Sequence, residues 1–332
     1  MKLSFARKAG ALYASAISIG LNRAFTSLTM QLPEILIPAT PVQVLLPDTA
    51  AALPLVCDSP HSGTDYPADF GYAVATADLR RCEDTHVHWL WGAVPQAGGT
   101  LVHATFPRSY IDPNRDVQDI NPAMLADAWP GPTTPTARTL ELGMGLVATH
   151  TPARQPIYAR RLSAQEVAHR IEHYWRPYRQ ALGEVLEAAS AQGPRWHLNL
   201  HSMPSNAYER LGRVAPGPLA DVVLGDLNGR SCGSEFTGRV AEGFRQRGYT
   251  VAINDPYAGQ DLLRQFGAPS RGHHSLQVEI NRALYLDEHT RELLPRASRV
   301  REDIASLLQD VAAYVRHAGA AHPTPSSVAI AH

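Results

Sequence analysis

Cysteine is scarce in this 332-residue chain, and the three cysteines that occur cannot build a disulfide framework. Cys57, Cys82 and Cys232 are odd in number, lie far apart and form no Cys-x-x-Cys pair. Secreted domains that depend on disulfides carry more cysteines at closer spacing, so this pattern favours a reducing, cytoplasmic compartment. We interpret all three cysteines as small, buried, apolar side chains.

The chain also lacks an excess of charge of either sign. Its 30 lysine and arginine residues almost balance its 31 acidic residues, which gives a formal net charge of −1. Proteins that bind nucleic acid or an anionic membrane surface usually carry a clear basic patch. The sequence therefore predicts neither partner, and a small molecule is the expected ligand.

No apolar run is long enough to cross a bilayer, which takes about 20 residues. The nearest approach is the weakly apolar segment 9–21, which resembles a poor signal peptide without a clean cleavage site. We predict that residues 1–30 are a disordered or wrongly included extension. We also predict that residues 31–318 form a single domain and that residues 319–332 form a flexible tail.

Short apolar runs alternate with amphipathic segments, which predicts an α/β fold with a mixed, mostly parallel sheet flanked by helices. Six runs bounded by turn residues are candidate strands: 53–59, 100–106, 196–203, 221–226, 249–255 and 275–285. Three segments have helical periodicity: 163–193, 234–248 and 289–319. Ser163 and Glu166 form a capping-box pattern at the start of the first, Pro177 should kink or split it, and Pro295 should interrupt the third.

One segment, 119–155, is too long to be an ordinary connection between elements of a compact domain. It is rich in proline, threonine, glycine and alanine. Segments of this length without predicted secondary structure are usually functional covers or disordered. We predict that it forms a flap near the functional site.

Polar side chains collect where several predicted strands end. His61 follows the first strand, Asp84 lies before the second strand, and His201 lies near the end of the strand at 196–203. Ligands bind outside the carboxyl ends of the strands in open parallel sheets. Two histidines and one carboxylate with an open fourth position are a ligand set of catalytic zinc. The spacing alone is a weak signal, and structural roles for the histidines are the alternative.

Glu279 lies between Val278 and Ile280 on a predicted apolar strand, where an unpaired carboxylate is costly to bury. One hypothesis is that Glu279 is a general base that takes a proton from an attacking water. The alternative is an ion pair with Arg282, which is three residues further along the chain.

Arg108 and Arg115 bracket a short polar stretch after the second predicted strand. The guanidinium fork matches carboxylate geometry, so these arginines could clamp a substrate carboxylate or a developing oxyanion. Asp112 and Asn114 would then fix the arginine side chains. Ion pairs with nearby aspartates are the simpler alternative. Arg271, in a loop bounded by glycine and proline, is a further candidate for binding the ligand.

Six short motifs occur in an order that resembles the N-formylglutamate amidohydrolase family, over about Leu53 to Glu288. The motifs are DSPHSGTDYP, EDTHV, PRSYIDPNRD, YWRPYRQAL, NLHSMP and VEINRALYLDE. The resemblance implies a fold similar to that of zinc carboxypeptidases and aspartoacylases, with a mixed sheet wrapped by helices. It also implies hydrolysis of N-formyl-L-glutamate to formate and glutamate, the last step of one route of histidine degradation.

The resemblance also implies roles for individual residues. His61 and His201 match the metal-site histidines of the family, Asp84 matches the acidic position between them, and Glu279 matches the general base. Four residues match the Arg-x3-Asp-x-Asn-Arg block of the family: Arg108, Asp112, Asn114 and Arg115. We expect that Arg108 holds the developing oxyanion and that Arg115, together with Arg271 from outside this block, grips the substrate carboxylates.

Several alternatives stay open at this point. Three other residues could replace Asp84 as a ligand: Glu83, Asp65 and His86. The ligand set suits Zn²⁺, and other divalent ions would also bind it. The acyl group, the amino acid and the oligomeric state are open. A zinc peptidase, another N-acyl amino acid deacylase and a non-catalytic member of the fold are the rival functions.

Overall fold

The computed structural model describes residues 40–48, 52–191 and 193–320. The predicted extension, residues 1–30, lies outside the described residues, and so does most of the predicted tail, residues 321–332. Residues 319 and 320 belong to the last helix. No helix in the described part of the chain is both long enough and apolar enough to cross a membrane.

Seven strands form one mixed sheet in the order β1-β3-β2-β4-β7-β5-β6. The strands are β1 (Val42–Leu45), β2 (Leu55–Ser59), β3 (Thr100–Ala104), β4 (Arg195–Met203), β5 (Val222–Gly225), β6 (Val251–Ile253) and β7 (His273–Asn281). Strands β3, β2, β4 and β7 are mutually parallel, while β1 pairs with β3, and β5 with β7, in the antiparallel sense. The predicted α/β class with a mixed, mostly parallel sheet is confirmed.

All six predicted strands are present, whereas β1 was not predicted. This strand has only four residues, and three of them are exposed at the edge of the sheet. The central strands are the opposite case, because every residue of β2 and of β4 is buried. Strands that are covered on both faces read as continuous apolar runs, which is why the sequence revealed them.

The described residues form nine α-helices. They are α1 (Thr76–Arg80), α2 (Val87–Leu90), α3 (Ala137–Leu142), α4 (Ala164–Arg170), α5 (Arg176–Ser190), α6 (Ala207–Arg210), α7 (Ser234–Gln246), α8 (Asp261–Phe266) and α9 (Ala297–Ala320). Helices α2, α7 and α9 pack with Cys57 and Leu198 on one face of the sheet. Helices α4 and α5 pack with Val56 and Val102 on the other face. All three cysteines are buried free thiols, as predicted.

The predicted breaks in two helical segments are confirmed. Ser163 caps α4 in a capping box with Glu166, and a π turn (Ile171–Trp175) separates α4 from α5 just before Pro177. Proline has no N–H and its ring crowds the preceding turn, so regular α geometry is interrupted there. Helix α9 begins only after Pro295.

Candidate active site

Three ligand-type side chains meet at the carboxyl edge of the central strands. His61 lies just beyond β2, and His201 lies near the end of the neighbouring parallel strand β4. The backbone N–H of Asp84 donates to the carbonyl of His61 over 3.0 Å, which ties the Asp84 loop to the tip of β2. One ligand atom from each of these three buried residues lies within 4.8 Å of the other two. The structure therefore brings the predicted set together.

A hydrogen bond at Nε2 orients each of the two imidazoles. His61 Nε2 lies 2.6 Å from Asp112 Oδ1, and His201 Nε2 lies 2.7 Å from Asn199 Oδ1. These acceptors favour a proton on each Nε2, which leaves each Nδ1 available as a metal ligand; His201 Nε2 also lies 3.2 Å from the amide nitrogen of Asn114. The Nδ1 atoms lie 3.4 Å (His61) and 3.1 Å (His201) from Asp84 Oδ2. Ligands of a tetrahedral zinc ion lie about 3.3 Å from one another. The three residues thus fit a divalent metal ion.

An unsatisfied atom supports the same interpretation. Nδ1 of His61 is buried and makes no hydrogen bond to any described residue. Buried polar atoms are rarely left without a partner, so such an atom indicates a ligand or an ion. The donor set of two neutral imidazoles and one carboxylate is suited to zinc and to similar divalent cations.

Asp84 is held in its ionised form by its neighbours. Burial by itself would raise its pKa, but the adjacent imidazoles of His201 and His61, together with the charge of Arg282, hold the pKa well below its usual value. Arg282 Nη2 lies 2.6 Å from the second carboxylate oxygen, Oδ1. Arg282 also donates to the hydroxyl and the carbonyl of Ser202, so its position is fixed. The alternative that Arg282 pairs with Glu279 is wrong, because its guanidinium binds Asp84.

Glu279 faces the ligand residues from the next strand. It lies directly opposite His201 in the β4–β7 register. Its side chain is largely buried, forms no ion pair with a described residue, and accepts a hydrogen bond of 3.0 Å from Gln277 Nε2 at Oε1. Burial, and then the negative charge of Asp84, raise the pKa of Glu279 to about 8. A carboxyl group with such a pKa can both accept and return a proton near neutral pH.

The predicted arginine block surrounds the same cavity. Arg108, Asn114 and Arg115 line the cavity, while Asp112 lies behind them. Arg108 Nη2 donates to Asp112 Oδ2 over 2.7 Å, and Arg115 Nη1 donates to Gln260 Oε1 over 3.1 Å. Asp112 thus binds both His61 and Arg108 and does not itself line the cavity.

The prediction that Arg271 binds in this site is wrong. Arg271 ends a short 3₁₀ turn just before β7 begins, whereas Glu279 is near the end of β7. The two residues are separated by about 26 Å of extended strand. Arg271 lines a different cleft, beside Trp196 and His273. A loop bounded by glycine and proline does not reveal at which edge of the sheet it lies.

The alternatives to Asp84 do not join the ligand set. Glu83 is buried, but its carboxylate accepts hydrogen bonds from Tyr66 and Thr85. The ring of His86 interacts with a backbone carbonyl over 3.2 Å. Asp65 is exposed. Among the described residues, the one cluster with metal-ligand geometry contains Asp84.

A cavity lies over these residues and is strongly cationic. Two of the described residues that line it are acidic, Asp84 and Glu279. Seven arginines also line it: Arg81, Arg108, Arg115, Arg138, Arg154, Arg210 and Arg282. Such a surplus of fixed positive charge concentrates anionic ligands in a cleft.

The predicted flap forms part of the wall of this cavity. Segment 119–155 contributes Arg138, Met144 and Arg154 to the lining, so the predicted location near the site is confirmed. Arg138 and Arg154 were not predicted individually from the sequence. Their place in the long segment was the one available signal, because neither belongs to a recognisable motif.

Comparison with known proteins places the chain in a family. The sequence model of N-formylglutamate amidohydrolase matches residues 53–286. This chain belongs to the N-formylglutamate amidohydrolase family. The crystal structure of N-formylglutamate amidohydrolase from Ralstonia eutropha is similar to this one, with a TM-score of 0.82, and the two sequences are 52% identical. The match covers 84% of this chain and 100% of that one.

More distant members of the family give the same result. N-formylglutamate deformylase from Pseudomonas aeruginosa is 27% identical over 267 residues, which cover 77% of this chain and 93% of that protein. N-formylglutamate deformylase from Pseudomonas putida is 26% identical over 265 residues, with 78% and 89% covered. The resemblance and the fold class that the motifs predicted are therefore confirmed.

Proposed function

We propose that this protein is a metal-dependent amidohydrolase that hydrolyses N-formyl-L-glutamate to formate and L-glutamate. The observation that carries the proposal is the convergence of His61, Asp84 and His201 beside Glu279 in one cationic cavity. Membership of the N-formylglutamate amidohydrolase family supports the choice of substrate. The reaction would be the last step of a histidine degradation route, in the cytoplasm.

The proposed ligands of the metal are the Nδ1 atoms of His61 and His201 and the carboxylate of Asp84. A bound Zn²⁺, or a similar divalent ion, would polarise the formyl carbonyl and lower the pKa of a water molecule. Asp112 and Asn199 keep the two imidazoles in the tautomer that such binding requires.

Proton transfer and charge stabilisation fall to the other residues. Glu279 accepts the proton of the attacking water and then returns it to the nitrogen of the departing amine, since its raised pKa suits both steps. Arg108 donates to the oxyanion that develops on the formyl oxygen, and loss of one such preorganised donor commonly lowers the rate by about 100- to 1000-fold. Arg115 binds a substrate carboxylate through its guanidinium fork.

The first experiment measures substrate preference and metal content of the purified full chain. Formate release is followed with N-formyl-L-glutamate and N-formyl-L-methionine, and amine release with N-acetyl-L-glutamate and a dipeptide. We expect the highest kcat/KM with N-formyl-L-glutamate, loss of activity after chelation and recovery with Zn²⁺. A preference for the acetyl or peptide substrate would instead identify another deacylase or a peptidase.

Two variants assign the roles. Glu279→Gln should retain the metal and lose at least about 100-fold in turnover, since general base catalysis contributes about 100- to 10,000-fold. The exposed Glu187→Gln is the matched control and should leave turnover unchanged. His201→Ala should lose the bound metal. Near-normal turnover in Glu279→Gln would exclude this residue as the base, and full metal occupancy in His201→Ala would remove His201 from the ligand set.

A further inference from the structure

Arg138 differs from Arg108 and Arg282 in the same cavity because it has no partner among the residues that the structure describes. Arg108 is paired with Asp112 over 2.7 Å, and Arg282 is paired with Asp84 over 2.6 Å. The guanidinium of Arg138 forms no hydrogen bond or ion pair with any described residue, and its Nε is buried and unsatisfied. A buried guanidinium N–H without an acceptor is costly, so the Nε of Arg138 in the wall of a cavity indicates that a ligand supplies the acceptor.

The electrostatics of the cavity indicate an anion as that ligand. Burial, followed by the charge of Arg108, lowers the pKa of Arg138. Burial, followed by the charge of Arg138, lowers the pKa of Arg115 to about 10. The three guanidinium groups therefore repel one another across the cavity. A ligand with more than one carboxylate would relieve this repulsion at several points at once.

The backbone segment that carries Arg138 is also anchored before any ligand binds. It lies in the first turn of the flap helix α3, whose N-cap is Thr136. The buried carboxylate of Asp119 accepts from the backbone N–H of Thr136 over 2.8 Å, and the Asp119 carbonyl accepts from the N–H of Leu146 over 2.9 Å. The Leu146 carbonyl in turn accepts from the N–H of Asp112 over 2.7 Å. This anchoring joins the flap to the Asp112 loop, so the backbone that carries Arg138 need not be ordered when a ligand binds.

We propose that Arg138 is a specificity-determining residue that binds the side-chain carboxylate of the substrate. It makes the enzyme select N-formyl amino acids with an acidic side chain over uncharged analogues of the same shape. Arg115, in the loop after β3, then binds the other carboxylate of the same substrate. This inference rests on the proposed function, because it concerns the substrate of that reaction.

The test compares N-formyl-L-glutamate with N-formyl-L-glutamine, which has the same shape and no side-chain charge. The wild-type protein should favour the glutamate compound by about 100-fold in kcat/KM, the effect of one buried, charged hydrogen-bonding pair. Arg138→Met should lose about 100-fold with N-formyl-L-glutamate, mainly through KM, and change less than about threefold with N-formyl-L-glutamine. Arg138→Lys should recover part of the loss, because it restores the charge without the fork.

The exposed Arg161→Met, outside the cavity lining, is the control and should keep the wild-type preference. An equal loss with both substrates, or no loss with either, would overturn the assignment of Arg138. Calorimetric binding of L-glutamate and L-glutamine gives a readout that does not need turnover. In this measurement the wild type should bind L-glutamate more tightly than L-glutamine, and Arg138→Met should not. An unchanged preference of the variant for L-glutamate would overturn the inference. Absence of formate release by the wild type would instead refute the proposed function.

Discussion

Replacement of Glu279 by glutamine should stabilise the metal-free protein, and the gain should depend on pH. Burial and the charge of Asp84 raise the pKa of Glu279 from 4.5 to about 8 in the folded state. Between these values the folded protein retains a proton that the unfolded chain releases, so the folded state loses stability as the pH rises. Each pKa unit corresponds to about 1.4 kcal/mol, which gives a penalty of about 1 kcal/mol at pH 5 and about 4 kcal/mol at pH 8. Glutamine keeps the acceptor for Gln277 and removes this penalty.

The assay is guanidinium unfolding of chelator-treated protein at several pH values, with the free energy of unfolding obtained by linear extrapolation. The variant should exceed the wild type by about 1 kcal/mol at pH 5 and by about 4 kcal/mol at pH 8. The exposed Glu187→Gln should show no such trend. Added Zn²⁺ should shrink the difference, because a nearby cation favours the charged carboxylate. An equal gain at both pH values, or a loss at pH 8, would refute the reasoning.

Two further variants test the support of the site. Gly63→Ala should lower the free energy of unfolding by about 3 kcal/mol, because overpacking of this kind strains the backbone. A Cβ atom at Gly63 would lie 2.3 Å from the carbonyl carbon of Thr105, and an unchanged denaturation midpoint would contradict this. Asn199→Leu removes the acceptor of His201 Nε2 and should weaken metal binding by about 10- to 100-fold, as losses of such supporting groups do. Competition with a chromophoric chelator measures this affinity, and a wild-type value would show that Asn199 does not orient the histidine.

The convergence of the candidate metal ligands could be predicted from the sequence because of a regular property of parallel sheets. His61 and His201 follow apolar runs that the chain buries on both faces, and the carboxyl ends of adjacent parallel strands lie at one edge. Glu279 was identifiable because a carboxylate on a buried strand is costly unless it has a partner or a function. These signals lie in short stretches of the sequence, so they can be recognised without knowledge of the tertiary structure.

The errors concern properties that only the tertiary structure determines. Arg271 was assigned to the site because its loop has turn residues, but the edge of the sheet at which a loop lies depends on the topology. Arg138 was not identified, because the absence of a partner for its guanidinium depends on every surrounding segment. The partner of Arg282 was ambiguous for the same reason: Glu279 is closer in sequence, yet Asp84 is closer in space.

A buried carboxylate beneath the site fixes the orientation of His201 through Asn199. Asp58 is fully buried and accepts hydrogen bonds from Tyr178 (2.6 Å), His197 (2.7 Å) and Asn199 (2.8 Å). Burial would raise the pKa of Asp58, but the hydrogen bonds, first that from His197, lower it, so the group stays charged. Because Asn199 donates to Asp58 through its amide nitrogen, its oxygen must face His201 Nε2. An apolar cluster of the same volume would often be as stable or more so, which indicates that this polar cluster is retained for orientation. Loss of the Asn199 amide should therefore affect metal affinity more than it affects the fold.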